Sequence, residues 1–150
     1  MASTYISLNV HYVFSTKNRA PLLAGPVKER LWAFMGGIAR ENGMKALAIG
    51  GMNDHVHLLV SLPATLSTAK AMQLIKGGAS IWLNERFPGL QPFAWQKGYG
   101  AFSVGVSQLD ATMAYIKNQE EHHRGKSFQQ EYLAFLKKHG IEYDEKYLWD

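Results

Sequence analysis

Segments with the residue pattern of a strand and segments with the apolar spacing of a helix follow one another along the chain. The order of these segments restricts the fold more than any other feature. Residues 5–15 (YISLNVHYVFS) are rich in aromatic and β-branched side chains, which predicts a strand. A helix is predicted from Pro26 until Gly43 stops the helical spacing of apolar residues. Two strands at 44–49 and 55–62 follow, joined by a glycine-containing turn.

Predicted strands and helices also follow one another in the second half of the chain. Ser67 is placed to cap a second helix, and residues 92–106 predict a strand, a glycine-containing loop and another strand. Two further helices are predicted from serines that have a capping-box partner three residues later, Ser107 with Asp110 and Ser127 with Gln130. Gly125 is expected to end the first of these two helices.

The order β-α-β-β-α-β followed by helices is typical of an α+β, ferredoxin-like split βαβ sandwich. In this fold an antiparallel sheet carries helices on one face, and here C-terminal helices follow. The other face of the sheet is expected to be free for function. Residues 1–150 are expected to form a single domain, because this length suits one compact core. Its acidic, aromatic tail at 139–150 is expected to fold back onto the body or onto a partner.

Composition excludes several classes of protein. The chain has no cysteine, which rules out a disulfide scaffold, thiolate zinc sites and a cysteine nucleophile. The uncharged stretch at residues 55–69 is interrupted by Pro63 and is too short and polar to span a bilayer. The first ten residues lack the basic start and apolar run of a signal peptide. A cytoplasmic protein without membrane contact is therefore expected.

Charge is distributed unevenly. Residues 1–100 carry ten Lys or Arg against four acids, a net charge of +6, whereas residues 101–150 carry six against eight, a net charge of −2. The basic part indicates a polyanionic partner such as nucleic acid. A net charge of this size is also ordinary for a protein without such a partner.

Two histidines of the third strand, His55 and His57, project to the same face, because alternate residues of a strand do so. Two imidazoles side by side provide two ligands for one divalent metal ion. The alternative is a pair of polar side chains on an exposed strand. Asp54, directly before the pair, either orients one imidazole through a hydrogen bond or is only a turn residue.

The third helix carries a polar stripe, since Tyr115, Asn118, Gln119 and His122 follow one another at helical spacing. The stripe lies away from the apolar residues of that helix, so Tyr115 is not simply a core aromatic. It is either a nucleophile or a half-buried tyrosine whose hydroxyl is in water. A phenol has a pKa of about 10 and attacks a phosphodiester only with help, which a nearby divalent cation would supply.

Several separated segments resemble one known family. GGMNDHVHLLV, IKGGASIWLNE, WQKGYGAFSV and YIKNQEEHH are similar to segments of the single-tyrosine transposases of the insertion-sequence 200/605 type. These enzymes belong to the HUH class, named after a His-hydrophobic-His motif. The likeness extends from the strand before FSTKNR to the final KYLWD. The turn before the histidines has Asn53 where the family commonly has proline, and this difference affects no catalytic position.

The resemblance implies a site, a reaction and an assembly. His55 and His57 match the metal-binding pair, Gln119 matches the third ligand of Mg²⁺ or Mn²⁺, and Tyr115 matches the nucleophile. The implied reaction cleaves and rejoins single-stranded DNA at the ends of an insertion sequence through a 5′-phosphotyrosine, with recognition of hairpins near those ends. The family also implies a homodimer whose composite sites combine the histidines of one subunit with the tyrosine helix of the other.

Residues that could contact DNA lie in three regions of the sequence. The basic loop after the first strand could reach a phosphate backbone or a hairpin base, and two lysines lie in or near aromatic segments on which bases could stack: Lys17, Asn18, Arg19, Lys76 and Lys97. Each of the lysines is also interpretable as an ordinary solvated side chain, and Trp95 as a core residue. His122 and His123 are assigned no metal role.

Two other functions fit the same sequence. The first is a domesticated or replication-type HUH nickase, which would use the same chemistry for another purpose. The second is a non-catalytic module that binds single-stranded nucleic acid on the sheet face, without need of metal or Tyr115.

Overall fold

The centre of the protein is a four-stranded antiparallel sheet, seen in a computed structural model that describes residues 3–90 and 92–150. Its strands are β1 (Asn9–Ser15), β2 (Lys45–Gly51), β3 (His55–Ser61) and β4 (Gly100–Ser103). They are arranged in the order β2-β3-β1-β4, with β1 and β3 paired at the centre. This order and the antiparallel pairing confirm the predicted split βαβ, α+β fold.

Helices connect and follow these strands. They are α1 (Pro26–Glu41), α2 (Thr68–Arg86), α3 (Leu109–Lys117), α4 (Gln119–His122), α5 (Phe128–Lys138) and α6 (Glu145–Leu148). Short 3₁₀ turns precede α1, follow α2 and precede α3. Throughout the described ranges, no helix combines the length and the apolar character that crossing a membrane requires.

The main core lies between one face of the sheet and helices α1 and α2. Tyr12 and Phe14 of β1 point to this face together with Val56 and Leu58 of β3, and all four side chains are buried. They pack against apolar residues that recur along the two helices, among them Leu31, Met35, Ala71, Ile75 and Leu83. Burial of each large apolar side chain contributes about 1.5–3 kcal/mol, so this layer supplies much of the stability of the fold.

The second face of the sheet is not free, contrary to the expectation from sequence. Val13 and Phe102 on this face are buried under Phe128, Tyr132 and Leu136 of α5. Helix α3 covers the remainder of the face, where Ile116 packs against Ala48 and Leu59. The physical reason is that α3 and α5 are amphipathic and have to bury their own apolar stripes, for which this face of the sheet is the available partner.

Helix α1 begins at Pro26 as predicted, and of the three predicted serine caps two are confirmed and one is wrong. The side chains of Ser67 and Ser127 accept hydrogen bonds from backbone N–H groups at the starts of α2 and α5, and Ser127 forms the complete capping box. Ser107 caps no helix, because it lies within a 3₁₀ turn that runs directly into α3. The helix then breaks at Asn118 instead of continuing to Gly125, and α4 follows the break.

The other departures from the predicted elements are at strand ends. Residues 5–8 precede β1, which begins only at Asn9. Within residues 92–106 the only strand is β4, preceded by a single bridge between Trp95 and Thr16. Such short edge segments contain too few residues for their periodicity to define an end.

The C-terminal tail packs on the body of the protein, as one of the two expected arrangements. The rings of Phe128 and Tyr132 meet that of Trp149 edge-on. The backbone carbonyl of Asp150 accepts a hydrogen bond from the N–H of Lys97, 2.5 Å away. The tail thereby extends the apolar cluster between α5 and the sheet.

Helix α3 approaches β2 closely at Gly50. A Cβ atom at Gly50 would lie 2.3 Å from the carbonyl oxygen of Ile116, a separation that real side chains do not adopt. We expect Gly50→Ala to push α3 off the sheet and to lower the free energy of unfolding by about 1–3 kcal/mol, measured by urea denaturation. Gly77→Ala is the control, because Gly77 has open space around it in the middle of α2 and should gain stability. Equal stability of Gly50→Ala and the wild type would contradict the close approach.

Candidate metal centre and tyrosine site

Strand β3 places His55 and His57 side by side on the face that α3 and α5 cover. Their ring centroids are 5.2 Å apart, and their exposed fractions are 1% and 0%. The alternative of an exposed polar pair is therefore wrong. Buried imidazoles need specific hydrogen-bond partners, and these partners determine what each ring can bind.

The hydrogen bond from His55 to Asp54 leaves one ring nitrogen available as a ligand. The Nδ1 atom of His55 lies 2.7 Å from Oδ1 of Asp54. Burial raises the pKa of this carboxyl, but the hydrogen bond and charge of His55 outweigh it, so the pKa of Asp54 lies below its usual value. The carboxylate can only accept, so Nδ1 carries the proton and Nε2 presents a lone pair. Asp54 thus orients an imidazole, which was one of its two possible roles.

His57 has a corresponding partner in His11, which sequence reasoning missed. The Nδ1 atom of His57 lies 2.8 Å from Nε2 of His11. Burial lowers the pKa of His11 to about 3, and the nearby His57 adds to this effect. A neutral His11 ring can accept the proton of Nδ1 and so leave Nε2 of His57 as a ligand. The pairing depends on the register between β1 and β3, which the sequence does not reveal.

Gln119, at the start of α4, directs its carbonyl oxygen toward the histidine pair. Its Oε1 atom lies 3.2 Å from Nε2 of His55, and its amide nitrogen donates to the backbone carbonyl of Tyr115 at 3.1 Å. The second bond fixes which end of the amide faces the histidines. The side chain is buried, as its place between the two helices and the sheet requires.

Tyr115 points into the same cluster within one chain. Its ring centroid lies 5.6 Å from that of His57, and its hydroxyl lies 3.1 Å from Nε2 of His122 and donates to a carboxylate oxygen of Glu131. The hydroxyl is therefore not simply solvated. Burial, followed by the neighbouring carboxylate of Glu131, raises the pKa of Tyr115 above its usual value. In this arrangement the side chain is a neutral phenol that donates its proton in a hydrogen bond to Glu131.

Glu131 on α5 is the second residue that sequence reasoning missed. It is 1% exposed, and its Oε1 atom lies 2.9 Å from Nε2 of His57 and 3.6 Å from Nε2 of His55. Burial alone would raise the pKa of Glu131, but hydrogen bonds and charges from its partners, His57 foremost, lower the pKa to about 2. A signal was present in the sequence, because Glu131 is an isolated acid on the apolar stripe that Phe128 and Phe135 define.

His123 also lies in the cluster, although no metal-binding role was predicted for it from the sequence. Its Nδ1 donates to the carbonyl of Lys126 at 2.6 Å, so its Nε2 presents a lone pair. That atom lies 3.0 Å from Oε1 of Gln119 and 3.3 Å from Oε1 of Glu131. His122 lies further out, near the other oxygen of Glu131.

The donor atoms of this cluster fit a divalent metal ion. One ligand atom from each of His55, His57, His123 and Glu131 lies within 4.8 Å of the others, among the described residues. Hydrogen bonds on the far side of the rings leave Nε2 atoms facing inward, beside the carbonyl oxygen of Gln119. Imidazole nitrogens together with carboxylate and amide oxygens form a mixed ligand set that could hold a divalent cation.

The residues expected to contact DNA divide into two groups. Lys17, Asn18 and Lys97 line one cavity together with Trp95 and Trp149. Arg19 lies beside it, with its guanidinium carbon 5.8 Å from the ring centre of Trp149. Lys76 differs, because its ammonium donates to the carbonyls of Gln96 and Gly98 at 2.7 and 2.9 Å and thus fastens that loop to α2. Trp95 belongs to the main core, which agrees with its interpretation from the sequence as a core residue.

The low pKa of His11 predicts a loss of stability in acid. The folded pKa of about 3 lies below the ordinary 6.5, so the unfolded chain binds more protons between these values. The metal-free protein should therefore lose stability as pH falls from 6.5 toward 3, with a slope of up to about 1.4 kcal/mol per pH unit from this ring. The groups that act on it are His57, Glu131, His139 and Lys138. Urea unfolding in EDTA between these pH values should show a shallower slope for His11→Gln, whereas equal slopes would contradict the assignment.

Comparison with known proteins gives a consistent result. The model of the family "Transposase IS200 like" matches residues 4–119. The chain is similar to the ISDra2 transposase TnpA of Deinococcus radiodurans, with 25% identity over 119 residues that cover 76% of this chain and 85% of that protein. It is also similar to the transposase for insertion sequence element IS200 of Salmonella typhimurium, with 26% identity over 126 residues, covering 81% and 82% of the two chains.

Solved structures agree with these relatives. A crystal structure of a candidate transposase from Deinococcus radiodurans R1 superposes with a TM-score of 0.66 at 26% identity, covering 79% of this chain and 95% of that one. A REP-associated tyrosine transposase bound to a REP hairpin shares the fold, with a TM-score of 0.58 at 16% identity over 79% and 70% of the two chains. The family match spans well over half of this sequence and includes His55, His57, Tyr115 and Gln119, so the chain belongs to the IS200-like transposase family.

Proposed function

We propose that this transposase cleaves and rejoins single-stranded DNA at insertion-sequence ends, with Tyr115 as the nucleophile. The observation that carries the proposal is the position of the Tyr115 ring beside His57, in a cluster that also contains His55 and Gln119. A phenol next to a set of inward-facing metal ligands is the combination that phosphoryl transfer by a tyrosine requires.

The reaction follows from the groups present. Tyr115 attacks the phosphorus atom, the bond from phosphorus to the 3′ oxygen breaks, and a 5′-phosphotyrosine and a free 3′-hydroxyl result. The proton of the phenol has acceptors in contact with it, Glu131 and His122. When bound at His55, His57 and Gln119, Mg²⁺ or Mn²⁺ would supply charge compensation for the scissile phosphate. Attack of another 3′-hydroxyl on the phosphotyrosine rejoins the strands and regenerates Tyr115, so ATP is not needed.

DNA recognition is proposed for the cavity at the end of β1. Lys17, Asn18 and Lys97 surround it, and Arg19 lies at its edge. Cationic side chains next to indole rings suit an unpaired base together with its phosphate, as in the loop of a hairpin. We expect the hairpins to be those near the ends of the element.

A covalent adduct tests the proposed function. The protein is incubated with labelled single-stranded DNA carrying an element end, with Mg²⁺, with Mn²⁺ or with EDTA. The expected result is a protein–DNA adduct that survives denaturation and forms only with metal. DNA binding without an adduct under any of these conditions would favour the non-catalytic binding module. Flanking hairpins and many genomic copies would distinguish a mobile element from a nickase with another role.

The assembly has a separate test. The resemblance implies a homodimer with composite sites, whereas the single chain already holds Tyr115 beside its own histidine pair. Two inactive variants, Tyr115→Phe and His57→Ala, can be mixed and assayed for the adduct. Recovery of the adduct would establish that a histidine pair and a tyrosine from different subunits form one site. A mixture that stays inactive would place the whole site in one chain.

A further inference from the structure

The carboxylate of Glu131 lies between the metal-ligand atoms and the tyrosine. Its Oε1 atom is 2.9 Å from Nε2 of His57 and 3.3 Å from Nε2 of His123, while Oε2 accepts a hydrogen bond from Tyr115. The residue belongs to α5, beyond the family match that ends at Gln119. It is therefore not one of the positions that the family pattern identifies.

Ring nitrogens of three histidines converge on Oε1 of Glu131, namely Nε2 of His57 at 2.9 Å, of His123 at 3.3 Å and of His55 at 3.6 Å. The proton of His123 is on the opposite side of its ring, where it is donated to the carbonyl of Lys126, and the proton of His55 is likewise given to Asp54. Their Nε2 lone pairs therefore face each other across the carbonyl oxygen of Gln119 and the carboxylate. Lone pairs repel one another at these distances unless a positive charge lies between them.

We propose that Glu131 is a ligand of the same divalent cation as His55, His57 and Gln119, so that helix α5 completes the metal site. This inference rests on the metal site of the proposed function. The ligand is Oε1, and Oε2 at the same time holds the hydroxyl of Tyr115. One carboxylate thus fixes the distance between the cation and the nucleophile. A carboxylate also adds negative charge to a ligand set that is otherwise neutral, which strengthens its hold on a hard cation.

Metal affinity tests the proposal directly. Binding of Mn²⁺ to the purified, EDTA-stripped protein is measured by isothermal titration calorimetry, for the wild type and for Glu131→Gln. The substitution keeps the size of the side chain and removes the charge, so affinity should fall by about tenfold or more. Glu142→Gln is the control, because it makes the same charge change at an exposed position and should bind Mn²⁺ like the wild type. Unchanged or increased affinity of Glu131→Gln would overturn the proposal.

A second measurement on the wild type avoids any effect of the substitution on folding. If Glu131 binds the cation, Mn²⁺ ties α5 to the sheet, and hydrogen exchange of the α5 amides should slow when the metal is added. Faster or unchanged exchange in α5 would mean that the carboxylate does not bind the cation.

The outcomes also separate this proposal from the proposed function. Loss of Mn²⁺ binding in His57→Ala, together with full binding in Glu131→Gln, would reject Glu131 as a ligand and leave the histidine site in place. Absence of Mn²⁺ binding in the wild type would reject both the metal site and the ligand.

Discussion

Replacing Tyr115 with phenylalanine should abolish the covalent protein–DNA adduct and lower cleavage by at least about a thousandfold. The substitution removes only the oxygen that is proposed to form the bond to phosphorus, and it leaves the ring in its place beside His57. Hairpin binding should persist, because the cavity with Lys17 and Lys97 lies elsewhere on the protein. Adduct formation on a denaturing gel and hairpin binding by gel shift measure the two properties separately.

Tyr99→Phe provides the matched control for this experiment. It loses the same hydroxyl from a partly buried tyrosine that packs beside Tyr12, on the opposite face of the sheet from the site. The control should form the adduct at the wild-type rate. An adduct that persists in Tyr115→Phe would assign the nucleophile to another tyrosine, for which Tyr132 would be tested next.

Substitution of His57 by alanine should remove both Mn²⁺ binding and cleavage, with at least about a hundredfold loss of activity although Tyr115 is intact. The ring is fully buried, and its two nitrogens connect His11 on one side with Glu131 on the other. Its loss therefore removes a proposed ligand and leaves the Glu131 carboxylate without its nearest imidazole. Calorimetry with Mn²⁺ and the adduct assay are the two measurements.

The removal of a buried ring also costs stability, so the variant needs a folding check by circular dichroism. His139→Ala is the control, because His139 is an exposed histidine just after α5 and should retain metal binding and cleavage. Full Mn²⁺ affinity in a folded His57→Ala protein would exclude His57 as a ligand.

Much of the fold could be predicted from local patterns. The aromatic and β-branched residues of β1, the apolar residues of β3 and the helical spacing of α1 and α2 belong to elements that bury large apolar surfaces, so these elements are recognisable in the sequence. Ser67 and Ser127 were recognisable because a cap depends on residues only three positions apart. The histidine pair was recognisable for a similar reason, because side chains two residues apart in a strand point to the same face of the sheet.

The remaining parts depend on contacts between distant segments. His11 reaches His57 only because β1 and β3 pair in one particular register. Glu131 reaches the cluster because α5 folds over the second face of the sheet, which the sequence indicated only through an isolated acid on an apolar stripe. The break at Asn118 leaves Gln119 directed at His55 although the helix is interrupted, a detail of backbone geometry that periodicity does not contain.

The packing of α5 on the sheet affects how truncated genes of this transposase family should be interpreted. A reading-frame shift shortly after Gln119 would preserve both motif histidines, the tyrosine and the glutamine. The encoded chain would nevertheless leave Val13 and Phe102 bare to water, and a bare apolar sheet face favours aggregation. Genes that keep every motif residue but lack about the last thirty codons are therefore expected to encode an inactive protein.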